Sequence, residues 1–180
     1  VSLPQSQGHC FIGFLIQSES EVISMTNTLF VGIDVSKRGN VVRFMDSQGE
    51  TLTLFSVKNN LDGANVLQEK LHNTLLSRDF QSVSIGMEST SIYADHLAAF
   101  LRNDGFLKKW GVKVYVLNAK QVKAFKEAYP ELPKDDNIDT LIIADYLRFG
   151  RISKEVSHDE RYIALRNLTR ARFQIAQNLS

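Results

Sequence analysis

From Leu29 onward the apolar positions follow clear periodicities. Leu29–Val35 is a nearly continuous apolar run, and Val41–Met45 is a second. Short apolar runs bounded by turn residues read as buried strands. Asp46-Ser47-Gln48-Gly49 has turn composition. Thr51–Val57 then alternates Leu52 and Leu54 with threonines, the period-two mark of a half-buried strand. Connections this short predict an antiparallel meander. Leu61, Ala64, Leu67, Leu71 and Leu75 recur at helical spacing and predict a helix over Asp62–Leu76. Ser82–Met87 predicts a short strand, Ile92–Asn103 a helix, and Lys113–Leu117 a further strand. Ala119–Tyr129 and Ile138–Phe149 predict helices separated by Pro130 and Pro133.

The resulting order, β-β-β-α-β-α-β-α-α, is a meander and then strands alternating with helices. It predicts an α/β fold, a mixed sheet with flanking helices, in the element order of the ribonuclease H-like (RuvC-like) class. Three parts are expected along the 180 residues. Residues 1–28 differ in composition from the rest of the chain. Their only charges are Glu19 and Glu21, and Cys10–Ile16 is a lone apolar patch with no basic region before it, which argues against a signal peptide. They are expected to be a vector-derived or disordered tail, with Met25 as the natural start. Residues 29–150 form the domain. Residues 151–180 begin an extended C-terminal helix, in which Ile163, Leu165, Leu168, Ile175 and Leu179 suit a coiled coil.

Composition narrows the chemistry. One cysteine, Cys10, rules out a disulfide framework within the chain, and the scattered His9, His72, His96 and His158 make no zinc spacing. No apolar run approaches the roughly 20 residues of a membrane helix, so a cytoplasmic setting and no membrane partner are expected. The net charge of +1 hides an asymmetry. Residues 102–134 hold eight Lys/Arg against three acids, and residues 151–180 hold six against three. Basic density of this kind suits a polyanion, although solvated helix faces have the same composition.

The acids carry the sharper signal. Asp34 closes the first strand in Gly32-Ile33-Asp34-Val35, and Glu88 comes directly after the fourth in Met87-Glu88-Ser89-Thr90. Ligands gather beyond the carboxyl ends of parallel strands, and strands one and four are neighbours in this topology. Two adjacent carboxylates repel unless a cation lies between them, and Mg²⁺ needs few carboxylates beside its waters. A helix-start acid stabilised by the helix dipole also accounts for Glu88 taken alone. A third cluster, Lys134-Asp135-Asp136-Asn137-Ile138-Asp139, places Asp136 and Asp139 at a helix start with one shared direction. Capping by Asp136 accounts for that pair equally well. Asp145, further along, reads as an exposed helix acid.

Taken in order, four segments resemble the DEDD-type bacterial insertion-sequence transposases, relatives of the Piv-type DNA invertases with a RuvC-like N-terminal domain. They are Gly32-Ile33-Asp34-Val35-Ser36-Lys37, Glu88-Ser89-Thr90-Ser91-Ile92-Tyr93, Val116–Phe125, and Lys134–Thr140. The likeness spans residues 29–180. It implies a catalytic, metal-binding tetrad of Asp34, Glu88, Asp136 and Asp139, holding two Mg²⁺ or Mn²⁺ ions for phosphodiester cleavage and transfer on DNA. It also implies a C-terminal serine-containing domain, expected to be absent from these 180 residues, and dimers or higher oligomers formed through the C-terminal helix. Some members of the family use a structured guide RNA, a partner the resemblance allows here, and the setting implied is the bacterial nucleoid. The chain departs from the family pattern at Ser91, where glycine is frequent, at Thr140, where alanine is common, and at Asp135, a fifth acid that competes with Asp136 as third ligand.

With that resemblance the basic helices acquire a role. Lys120, Lys123 and Lys126, continued by Arg166, Arg170 and Arg172, would track a phosphate backbone, giving affinity without sequence choice. Two other readings stay open. One is a non-catalytic nucleic-acid-binding and dimerisation module. The other is an actin-like sugar kinase, which also opens with Gly-Ile-Asp but needs glycine-rich phosphate loops; Ser36-Lys37-Arg38-Gly39 has one glycine and Ser89-Thr90-Ser91 none.

Overall fold

The chain's central sheet is covered on both faces, and the two faces differ in kind. The structure is a computed structural model that describes residues 27–88, 93–129, 137–150, 152 and 160–178. The expected tail up to residue 26, the Ser89–Ile92 segment, Asp135 and Asp136 lie outside the described residues. Five strands, β1 (Thr28–Val35), β2 (Gly39–Met45), β3 (Thr51–Lys58), β4 (Ser82–Glu88) and β5 (Lys113–Leu117), form one sheet in the order β3-β2-β1-β4-β5. β1, β2 and β3 make the predicted antiparallel meander, while β4 runs parallel to β1 and β5 parallel to β4. This is the ribonuclease H-like arrangement that the element order predicts.

One face carries the main core. Leu29, Val31 and Ile33 of β1 and Val83, Ile85 and Met87 of β4 are fully buried there. They pack with Leu67, Leu71 and Leu75 of α1 (Leu61–Ser77) and with Leu97 and Leu101 of α2 (Tyr93–Asn103). Each such side chain contributes about 1.5–3 kcal/mol on burial. Asn60 caps α1 by accepting from the Gly63 amide at 2.9 Å. A five-residue helix, α3 (Gly105–Lys109), escapes the periodicity because it is too short to repeat an apolar spacing. Its cap Asp104 is buried. It accepts from the Phe106 and Leu107 amides, from Gln68 Nε2 at 2.8 Å, and meets His72 Nε2 at 2.7 Å, which ties α3 to α1.

The other face receives α5 (Ile138–Arg148), with α4 (Ala119–Glu127) beside it. Two glycines make this possible. Gly32 of β1 pairs with Arg43 of β2 on one side and with Gly86 of β4 on the other. A Cβ at Gly32 would fall 2.8 Å from the Ala144 backbone nitrogen and closer still to the Thr140 carbonyl oxygen. A Cβ at Gly86 would fall 2.9 Å from Leu147 Cδ1. The requirement is space, and side-chain-free strand positions let the α5 backbone lie almost on the sheet. The sheet then buries Ile142, Ile143, Ala144 and Leu147.

The C-terminal helix α6 (Glu160–Asn178) forms as expected, with Leu165, Leu168, Phe173 and Ile175 exposed. Among the described residues no helix is long and apolar enough to cross a membrane.

Gly32→Ala is expected to destabilise the protein by about 1–3 kcal/mol or more, the cost of overpacking against atoms that cannot move aside. Gly105→Ala, with nothing within 4 Å of its Cβ position, should be neutral or slightly stabilising. Chemical denaturation of both variants measures the difference.

Candidate active site

Strand alternation sets which acids meet. In β1, Val31, Ile33 and Val35 face the main core, so Gly32 and Asp34 face α5; in β4 the same alternation turns Gly86 and Glu88 toward α5. Ile33 and Met87 are register partners, so Asp34 and Glu88 emerge side by side from adjacent parallel strands. Asp139 comes to the same end from the first turn of α5. Three elements thus deliver Asp34, Glu88 and Asp139 to one end of the sheet.

The electrostatics record their proximity. Burial, and then the charge of Asp139, push the Asp34 carboxyl above its ordinary range. Burial pushes Glu88 in the same direction, reinforced by Asp139 and Asp34 and partly opposed by Lys126. Asp139 itself is half exposed and is held by Lys126, whose Nζ lies 2.7 Å from Asp139 Oδ1. Among the described residues, no three His, Cys, Asp or Glu side chains are placed so that they could hold an ion together. The donor set is nevertheless all oxygen, which suits a hard dication such as Mg²⁺ or Mn²⁺.

The start of α5 is fixed by a residue that the periodicities do not mark as functional. Arg43 is buried in β2, where its Nε donates to Thr140 Oγ1 at 3.2 Å, Nη1 to Thr51 Oγ1 at 2.9 Å and Nη2 to the Asn137 carbonyl at 3.4 Å. Thr140 Oγ1 in turn donates to the Asn137 carbonyl at 2.7 Å. A lone arginine inside the apolar run Val41–Met45 is the one signal of it in the sequence. The N-cap position of α5 is Asn137, whose side chain makes no capping hydrogen bond; Asp136, the expected cap, lies outside the described residues. Arg43 and Thr140 organise this turn, and with it the backbone that carries Asp139.

Asp145 is also a correction. It is buried rather than exposed, accepts from the Tyr129 hydroxyl and meets Arg148 Nε at 2.7 Å. Burial, and then the Asp145 carboxylate, raise the Tyr129 hydroxyl above its ordinary range. Tyr129 closes α4 onto α5, and helical spacing alone gives no sign of that cross-helix bond.

Beside the acids lies a groove of about 590 Å³ lined by Glu88, Val122, Lys123, Lys126, Tyr129 and Asp139. Of the expected basic track, Lys123 and Lys126 line this groove, and Lys120 is exposed on the same helix. Lys123 is within 4.0 Å of Glu127. Arg170 and Arg172 are exposed on α6, and the Arg166 side chain lies outside the described residues.

An ionised carboxyl whose pKa is raised by folding costs stability. That cost is absent below the unfolded pKa and complete above the folded one. Asp34→Asn is therefore expected to raise the thermal stability of the metal-free protein at neutral pH. The gain should shrink as the pH falls into the carboxylate range. Identical melting at neutral pH would contradict an Asp34 carboxylate destabilised by burial and by its acidic neighbour.

The sequence profile of a transposase family, DEDD type, IS110, matches residues 31–180. Among solved structures the chain is similar to T. thermophilus RuvC in complex with Holliday junction substrate. The two are 15% identical with a TM-score of 0.45, over 71% of this chain and 96% of that one. Comparison with curated proteins finds no match.

Proposed function

The chain belongs to the IS110-type DEDD transposase family, and from that membership we propose that residues 29–150 are the catalytic domain of a DNA transposase, performing divalent-metal-dependent phosphodiester cleavage and transfer. The observation that supports this most is the delivery of Asp34, Glu88 and Asp139 from two parallel strands and a helix to one end of the sheet. Asp136 is proposed as the fourth member, with Asp135 as its competitor.

Two Mg²⁺ or Mn²⁺ ions would be held by these carboxylates. When bound, such ions stabilise charge on a scissile phosphate and lower the pKa of the attacking oxygen's source. The chain's own residues do the rest. β1 and β4 fix Asp34 and Glu88 through the sheet's hydrogen bonds, so neither strand needs to reorganise. Arg43 holds the first turn of α5, and with it the backbone that carries Asp139. Lys123 and Lys126 offer ammonium groups to a phosphate backbone in the groove, with Lys120 extending the track along α4. Arg166, Arg170 and Arg172 would extend it further along α6, and the exposed Leu165, Leu168, Phe173 and Ile175 would pair α6 with a second copy as a coiled coil. DNA is the proposed partner, at the bacterial nucleoid. A structured guide RNA would bind the same basic surfaces.

A second reading has one observation in its favour. Asp139 is engaged by Lys126 and the described acids do not close around an ion. In that form the domain would be a nucleic-acid-binding and dimerising module.

The test is nicking of supercoiled plasmid DNA in Mn²⁺ by the wild-type protein and by Asp34→Ala. Loss of a main carboxylate ligand is expected to lower the rate by about a hundredfold or more, in line with the several kcal/mol that such charge stabilisation supplies. Nicking retained in Asp34→Ala would overturn the assignment, and binding without nicking by the wild type would favour the module.

A further inference from the structure

We propose that Lys126 is a resident counter-ion of the carboxylate cluster, displaced from Asp139 by a divalent metal and then turned toward a substrate phosphate. The inference rests on the metal-site reading of these acids and assigns one of their neighbours a specific part. The Lys126 ammonium meets Asp139 Oδ1 at 2.7 Å, the length of a charge-assisted hydrogen bond.

Its location is built into the packing rather than left to a free surface side chain. Phe125, one residue earlier, packs edge-on against Tyr146 and Phe149, with ring centroids 5.2 and 5.7 Å apart. Tyr129, three residues later, donates its hydroxyl to Asp145. The last turn of α4 is thus fastened to α5 on both sides of Lys126, and the lysine is delivered to the first turn of α5, where Asp139 stands. Its charge is also felt at Glu88.

The consequence is competition. An oxygen engaged with an ammonium is not free to ligate a dication, so metal entry at Asp139 requires the ion pair to open. The pair can open, because its side chains are 35% and 50% exposed. The released ammonium also has a place to go, since Lys126 lines the groove beside Lys123. One lysine then neutralises the acids before metal arrives and faces the polyanion afterwards. Metal binding and nucleic-acid binding would reinforce one another through it.

Isothermal titration of Mn²⁺ into the whole chain, without nucleic acid, tests this with wild type, Lys126→Met, Lys126→Arg and Lys123→Met. A partly exposed ion pair of this kind predicts that Lys126→Met binds Mn²⁺ about three- to fivefold more tightly than wild type. Lys126→Arg keeps the cation and should match wild type. Lys123→Met removes the same charge from the same groove without touching Asp139, and should change affinity by less than about twofold. Equal tightening in Lys126→Met and Lys123→Met would reduce the effect to a general field and overturn the inference. So would unchanged or weaker binding in Lys126→Met, while wild-type binding left the metal site itself standing. Failure of both wild type and Lys126→Met to bind Mn²⁺ would remove the metal reading and this inference together.

Discussion

The close seating of α5 on the sheet is the constraint on which the rest of the structure depends. It needs two adjacent strand positions without side chains, and the register supplies them as the Gly32–Gly86 pair. The same cross-strand row contains Arg43, which reaches up to Thr140 and Asn137 at the start of the helix. Glycines lower the helix onto the sheet and the arginine fixes its first turn. Two residues beyond each glycine, on the same face, come Asp34 and Glu88. The distance between the helix's Asp139 and the strands' acids is therefore set by a packing requirement, and any change that lifts α5 also dismantles the acidic cluster.

That cluster is held against its own repulsion. Asp34 and Glu88 are both pushed toward protonation by burial and by neighbouring carboxylates. A fold has no stability reason to gather such groups, and sites that carry a local cost of this kind are often functional ones. The main core on the opposite face of the sheet, with its fully buried aliphatic side chains, offsets the cost. Lys126 moderates it at Asp139.

Much of this is legible in the sequence. Every strand and the long helices emerge from apolar periodicity, because each spans enough residues to repeat its pattern. The neighbourhood of Asp34 and Glu88 comes from topology, since a meander followed by a helical crossover places β4 parallel to β1 and next to it. What periodicity does not carry is contact between elements. The burial of Asp145 depends on Tyr129, the placement of Asp139 depends on Arg43 from a distant strand, and the Lys126–Asp139 pair depends on how α4 is riveted to α5. None of these leaves a local spacing to read. The short helix α3 is hidden for a different reason: its stability comes from the Asp104 cap and the link to α1 rather than from an amphipathic repeat.

If Asp34, Glu88 and Asp139 form one metal site, crystals soaked in Mn²⁺ will reveal it by anomalous diffraction. The expected result is a peak between Asp34 and Glu88, with the Asp139 carboxylate turned from Lys126 to the ion. A crystal with no anomalous peak at these residues, and Asp139 still paired with Lys126 at saturating Mn²⁺, would show that the three acids do not share a metal.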